Sequence, residues 1–293
     1  MKIKQSRGEN IFDVINVIFM LCIVVVMFYP MLYVFFVSIS EPGRFMAHFG
    51  PLFAPLGITG ASYQAILGDP RVTTGYQNTL FIVTAGVACN MFMTIIAAYF
   101  LSRKGLMFRN AIMLLILVTM YFSGGLVPSY LVVRGLGLLD SHGALILPAA
   151  INTFNMIIMR TAFAGVPDSL EESAKLDGAS HITIMTRIMV PLCMPTIAVL
   201  ILYYGVAHWN SWFPAMIYLQ DRNLYPLQLF LREILIQNDM GASGVGADMG
   251  DRDMISVTIQ YALIIIATVP ILALYPFLQR YFVKGVMVGA VKG

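Results

Sequence analysis

The glycine-rich run 241–250, GASGVGADMG, is the nearest this 293-residue sequence comes to a loop that cradles phosphate. A phosphate loop needs a strand before it and a Gly-Lys-Ser/Thr close after it. No strand pattern precedes the run, no such close follows it, and Asp248, Asp251 and Asp253 would repel phosphate. It is expected to be a mobile loop. No His-Glu-x-x-His pair and no nucleophile elbow occurs, so metal-assisted hydrolysis and acyl transfer lack their usual groups. Cys22, Cys89 and Cys193 are scattered through apolar stretches and match no metal or redox spacing, which leaves packing as their expected role. The chain shows no means of hydrolysing ATP, and active transport would have to draw its energy from a partner.

The remaining polar groups interrupt apolar runs, where they are costly and usually face a cavity or another helix. Asn152, Asn155, Trp209, Asn210, Trp212 and Tyr121 are the candidate lining of a substrate pathway. Rings that stack on a pyranose and amides that bond its hydroxyls suit a sugar. Two alternatives stay open. The tryptophans could belong to an interfacial aromatic belt, and the asparagines could be interhelical bonds worth about 1 kcal/mol. His208 is expected as a packed or pore-edge histidine. A proton relay would want an acidic partner, and no apolar span contains Asp or Glu.

What must position these groups is a membrane. Hydrophobic residues make up 59% of the chain and charged ones 11%, and the mean hydropathy is +0.80, far from a soluble composition. The net charge of +3 is too small to suggest nucleic acid. Behind Lys2, Lys4 and Arg7 runs an uncharged stretch of 24 residues, Val14 to Val37. It is too long for a signal core and lacks a small-residue cleavage site. As a helix it reaches about 36 Å, enough to cross a bilayer core of about 30 Å. Six such spans are expected, at about 14–37, 78–101, 110–133, 143–163, 191–219 and 254–278. The expectation is a single all-α domain over 1–293, since lipid-embedded backbone must pair within its own segment.

Lysine and arginine set the orientation. With the N-terminus inside, the inner connections carry twelve of them and the outer connections six, Arg44, Arg71, Arg134, Arg222, Arg232 and Arg252. Both termini and the loop 165–190 are therefore expected on the cytoplasmic side of an inner membrane. That loop reads as two short helices joined at a glycine. Pro167 suits a first helical turn. Ser169 and Glu172 have capping-box spacing, and Glu171 and Lys175 can pair on the exposed face. Gly178 suits a left-handed cap. Ser180 can cap a second helix whose apolar positions are Ile182, Met185, Ile188 and Met189.

The loop also carries a resemblance. Glu172-Ser173-Ala174, three residues, Gly178, nine residues and Ile188-Met189-Val190-Pro191 resembles the EAA loop of ABC importer permeases. Ser173 replaces an alanine of that pattern and Val190 a leucine. The tail, which closes Gly289-Ala290-Val291-Lys292-Gly293, is similar to that of maltose-type permease subunits. Within that carbohydrate group the sequence most resembles permeases of polysaccharide and complex-oligosaccharide importers, alginate importers among them.

The resemblance implies a type I ABC importer permease fold and alternating access. It implies a second homologous permease, two ATPase subunits that bind ATP and Mg, and an extracytoplasmic solute-binding protein, with no cofactor on this chain itself. In that frame Glu172, Ala174, Asp177 and Gly178 couple to the ATPase. Gly289, Lys292 and Gly293 contact it through the tail, where a basic anchor for membrane lipid is the alternative. Residues 241–250 would reach toward the binding protein. A permease for a peptide or polyamine, or a stand-alone channel or membrane enzyme, are the rival expectations.

Overall fold

Among the described residues of the computed structural model, 7–103, 105–242, 257–273 and 276, the chain forms helices and no strand, apart from one isolated bridge between Ser40 and Ile58. Two stretches form uninterrupted apolar helices long enough to cross a bilayer, Gly8–Ser38 and Pro70–Ser102. They lie in α1 (Arg7–Ser38) and α4 (Pro70–Ser102). Between them come the short α2 (Pro42–Met46) and α3 (Ala61–Leu67).

The range expected as a third span is instead two helices, α5 (Arg109–Tyr121) and α6 (Leu126–Gly135), bent by 111°. The break falls at Gly124-Gly125, and Gly125 takes φ +86°, a conformation open to glycine and disfavoured for other residues. The expected fourth span is also discontinuous. The short α7 (Gly143–Ile146) stops before Pro148, which lacks the N–H to continue it. After non-helical residues 147–152, α8 (Thr153–Ala164) begins with Asn152 as its N-cap. Twelve helical residues reach about 18 Å, well short of a bilayer core.

The loop 165–190 contains α9 (Asp168–Leu176), α10 (His181–Ile184) and a π-helical turn, Met185–Met189, that leads into α11 (Val190–Leu192). An 85° bend at Cys193 separates these from α12 (Met194–Trp209). The expected fifth span breaks again at Asn210-Ser211 before α13 (Trp212–Tyr218). Then come α14 (Leu227–Ala242) and α15 (Val257–Ala273), the latter inside the expected sixth span.

The chain divides into two compact units, residues 1–69 with 234–269, and 70–233 with 270–293. In the first, the hydroxyls of Ser62 and Thr258 meet at 2.8 Å with neither residue exposed. Tyr33, Phe45 and Tyr261 form an edge-to-face ring cluster. In the second, α4 is the spine against which α8 and α12 pack. Its core centres on Ala98, Met159, Phe163, Ile184 and Leu200.

Candidate functional site

The elbow built by α9, α10 and the π-turn follows largely from local rules. Gly178 has φ +79°. Its N–H bonds the Lys175 carbonyl at 3.0 Å, and the Ala179 N–H bonds the Ala174 carbonyl at 2.9 Å. This pair of bonds is the Schellman close of a helix. Ser180 Oγ accepts the Thr183 N–H at 3.3 Å and caps the next helix, as expected. The capping box is not formed. Pro167 is the N-cap, no side-chain cap bond is made, and Ser169 lies inside the first turn. Asp168 and Glu171 sit in that turn, where the helix dipole favours negative charge.

The buried face of the second helix also differs from expectation. Ile182 is 71% exposed, while Ile184 and Met189, five apart, are 0% and 2% exposed. A π-turn makes that spacing a single face: the Val190 N–H reaches back five residues to Met185. Just after it comes Pro191, which cannot donate to an α-helical ladder. The outcome is a wedge. Ala174, Ile184 and Met189 face the core, and Glu172, Leu176, Asp177 and Ile182 stand outward.

Glu171 does not pair on an exposed face as expected. Its side chain is 13% exposed and is bonded by Arg103 from the end of α4 as well as by Lys175 at 2.9 Å. Arg103 also donates to Ser102 Oγ and lies 4.8 Å over the Tyr99 ring. The Tyr99 hydroxyl reaches His181 Nδ1 at 3.2 Å. Tyr99 and Arg103 thus tie both helices of the elbow to α4. Sequence reasoning used Arg103 only for its charge and missed Tyr99, because nothing local marks either.

A second polar constellation lies between α4, α12 and the non-helical residues 147–152. Asn90 Nδ2 donates to the Ala149 carbonyl, and Asn90 Oδ1 lies 2.6 Å from His208 Nε2. The Tyr204 hydroxyl meets Thr94 Oγ1 at 2.8 Å and accepts the Asn152 N–H at 3.2 Å. Side chains thereby satisfy backbone groups that no helix satisfies, the condition for irregular backbone at membrane depth. Gly86 makes room for the arrangement: a Cβ there would lie 2.5 Å from His208 Nε2.

The expected pathway residues fall in different settings. Asn152 is exposed at the break, and its Oδ1 caps α8 through the Asn155 N–H, while Asn155 itself is 6% exposed. Trp209 is 6% exposed against the edge of Tyr76. Trp212 is covered by the Arg232 guanidinium, 3.7 Å from its ring centre. Asn210 is exposed and bonded to the Val206 carbonyl, and Tyr121 is 77% exposed at the end of α5. The buried tryptophan ring favours a packing role over sugar stacking at Trp209. The tail residues Gly289, Lys292 and Gly293, and 243–250 of the glycine-rich run, lie outside the described residues; Gly241 and Ala242 end α14.

Outside the apolar helices, Asp140 adopts φ +57° and accepts the N–H groups of Asp221 at 2.8 Å and Gln220 at 2.9 Å. Those amides, Asp221 first, hold its carboxyl below the usual carboxylate range.

A family model described as "Binding-protein-dependent transport system inner membrane component" matches residues 90–288. The chain is 39% identical over 289 residues to Protein LplC of Bacillus subtilis (strain 168), covering 99% of this chain and 97% of that protein. It is 43% identical over 237 residues to the polygalacturonan/rhamnogalacturonan transport system permease protein YtcP of the same organism, covering 79% and 81%. Among solved structures it is similar, at TM-score 0.86 and 30% identity, to a chain of a bacterial ABC transporter involved in the import of the acidic polysaccharide alginate, covering 96% of this chain and 100% of that one.

Proposed function

We propose, for a chain that belongs to the family of binding-protein-dependent transport system inner membrane components, that it is the permease subunit of an ATP-driven importer of oligo- or polysaccharide. The saccharide reading is supported by a relative named for polygalacturonan and rhamnogalacturonan transport and by a structural neighbour that imports alginate. A second permease would complete the pathway, two ATPase subunits would seat the elbow, and a solute-binding protein would deliver cargo from outside. Both termini and the elbow would then face the cytoplasm, as the charge bias suggests.

The observation that carries this reading is the wedge. Glu172 and Asp177 stand exposed on one side of an elbow whose other side is buried against the core. Force applied at the exposed side reaches α4 through Arg103 and Tyr99. From α4 it reaches the broken segment 147–152 through Asn90. Closure of the ATPases on ATP would tilt the elbow and, with it, the break that carries Asn152. Such a mechanism needs an element with two arrangements biased from both ends, and the discontinuous helices supply it.

The test is Glu172→Lys in the assembled complex. Insertion and assembly should persist while cargo-stimulated ATP hydrolysis falls. Normal stimulation in that variant would count against the coupling role.

A further inference from the structure

We propose that the recess at the start of α5 holds the headgroup of an anionic phospholipid, a site that rests on the permease reading only for its place at a membrane. A recess of about 650 Å³ is lined by Leu106, Phe108, Arg109, Asn110 and Ala111. No carboxylate lines it. It adjoins a cavity of about 820 Å³ that shares Leu106 and Arg109, and there Asp168, Glu171 and Glu172 of α9 lie, with Glu171 already bonded to Arg103 and Lys175.

Three observations point to an anion in the recess. Arg109 Nε is buried and has no hydrogen-bond partner. Among the described residues Arg109 makes no ion pair. The 13-residue α5 starts here without a side-chain cap, and its ladder begins only with the Ile112 N–H on the Phe108 carbonyl. The amides of residues 109–111 are therefore left to an outside acceptor.

An unneutralised guanidinium beside an uncapped helix start favours a phosphodiester, which takes both charge-assisted bonds and amide donors. The lining supplies the rest of a lipid's chemistry: Phe108 is 71% exposed, its chain neighbour Met107 is 75% exposed, and Phe100 of the adjoining cavity is 54% exposed. Phe108 is held at φ +57°, an unusual backbone for a phenylalanine. Apolar rings next to a basic pocket between membrane helices fit an acyl chain below an anionic headgroup.

The test purifies the assembled importer in mild detergent and measures co-purified phospholipid by class. Wild type should retain phosphatidylglycerol or cardiolipin, and Arg109→Gln should retain about tenfold less. Phosphatidylethanolamine should not change, and Arg187→Gln, outside the recess, should retain as much as wild type. Should Arg109→Gln fail to assemble, titration of delipidated wild type with phosphatidylglycerol against phosphatidylcholine gives the same comparison. No anionic lipid in wild type, retention in Arg109→Gln equal to that of wild type, or no preference in the titration overturns the site. Retention of added inorganic phosphate or oligogalacturonate in place of phospholipid overturns it as well. Cargo-stimulated ATP hydrolysis, measured on the same preparations, reports separately on the permease reading.

Discussion

Arg103, near the end of α4, is bonded to Glu171, in the first turn of α9, with both side chains largely withdrawn from solvent. The two are 68 residues apart in sequence. Their bond joins the start of the elbow to the end of the longest core helix.

Removing one partner should uncouple the two. Arg103→Ala leaves a carboxylate that is 13% exposed with Lys175 in place of two cationic partners, and a largely buried charge that loses a partner is costly. In the assembled complex the ratio of cargo-stimulated to basal ATP hydrolysis should fall about fivefold or more. Arg103→Lys, which keeps the charge without the fork, should recover part of it. An unchanged ratio in Arg103→Ala would show that α4 does not carry the signal.

Gly178→Val should distort the elbow. The position requires φ +79° with open space around it, so backbone strain is the only penalty. Occupying the left-handed region costs a branched residue about 1–2 kcal/mol. Gly178→Asn should be milder, since asparagine tolerates that region. Binding of the ATPase subunits, measured by titration in nanodiscs, should weaken in the order Val, then Asn, then wild type.

Asn90→Ala should lower the melting temperature of the complex more than His208→Ala. The first loses bonds to both the Ala149 carbonyl and His208, the second only one. Interhelical bonds in membranes average about 0.6 kcal/mol in coupling, so the double variant should fall short of additivity by about that amount. Gly86→Leu should be worse than either, because even a Cβ there lies within 2.5 Å of the His208 ring.

Asp140 should make its junction with residues 220–221 acid-sensitive. Its folded carboxyl is lowered by the amides of Asp221 and Gln220, so its contribution is present above the unfolded aspartate range. That contribution disappears as pH falls through the lower, folded value. Asp140→Asn should remove this part of the pH dependence, which lies at and below the ordinary aspartate range. The readout is protease nicking near residues 219–222; an unaltered acid profile in the variant would contradict the assignment.

The sequence by itself determined what depends on composition and on neighbours a few residues away. Its apolar runs gave a helical membrane chain, because lipid leaves backbone no other partner. Gly178 and Ser180 marked the turn of the elbow, because capping bonds span only three to five residues. The Glu171–Lys175 pair followed from helical spacing, though not its burial. Where the helices break was decided in three dimensions. Hydropathy registers how long and how apolar a run is, and glycine, proline and asparagine in membrane helices are tolerated in straight and broken forms alike. The break at 147–152 is held by Asn90 and Tyr204, each more than 50 residues away in sequence. Arg103 likewise finds Glu171 only once α4 and α9 have packed. Such partners are chosen by the need to satisfy buried polar groups, and that need exists only after the chain has folded.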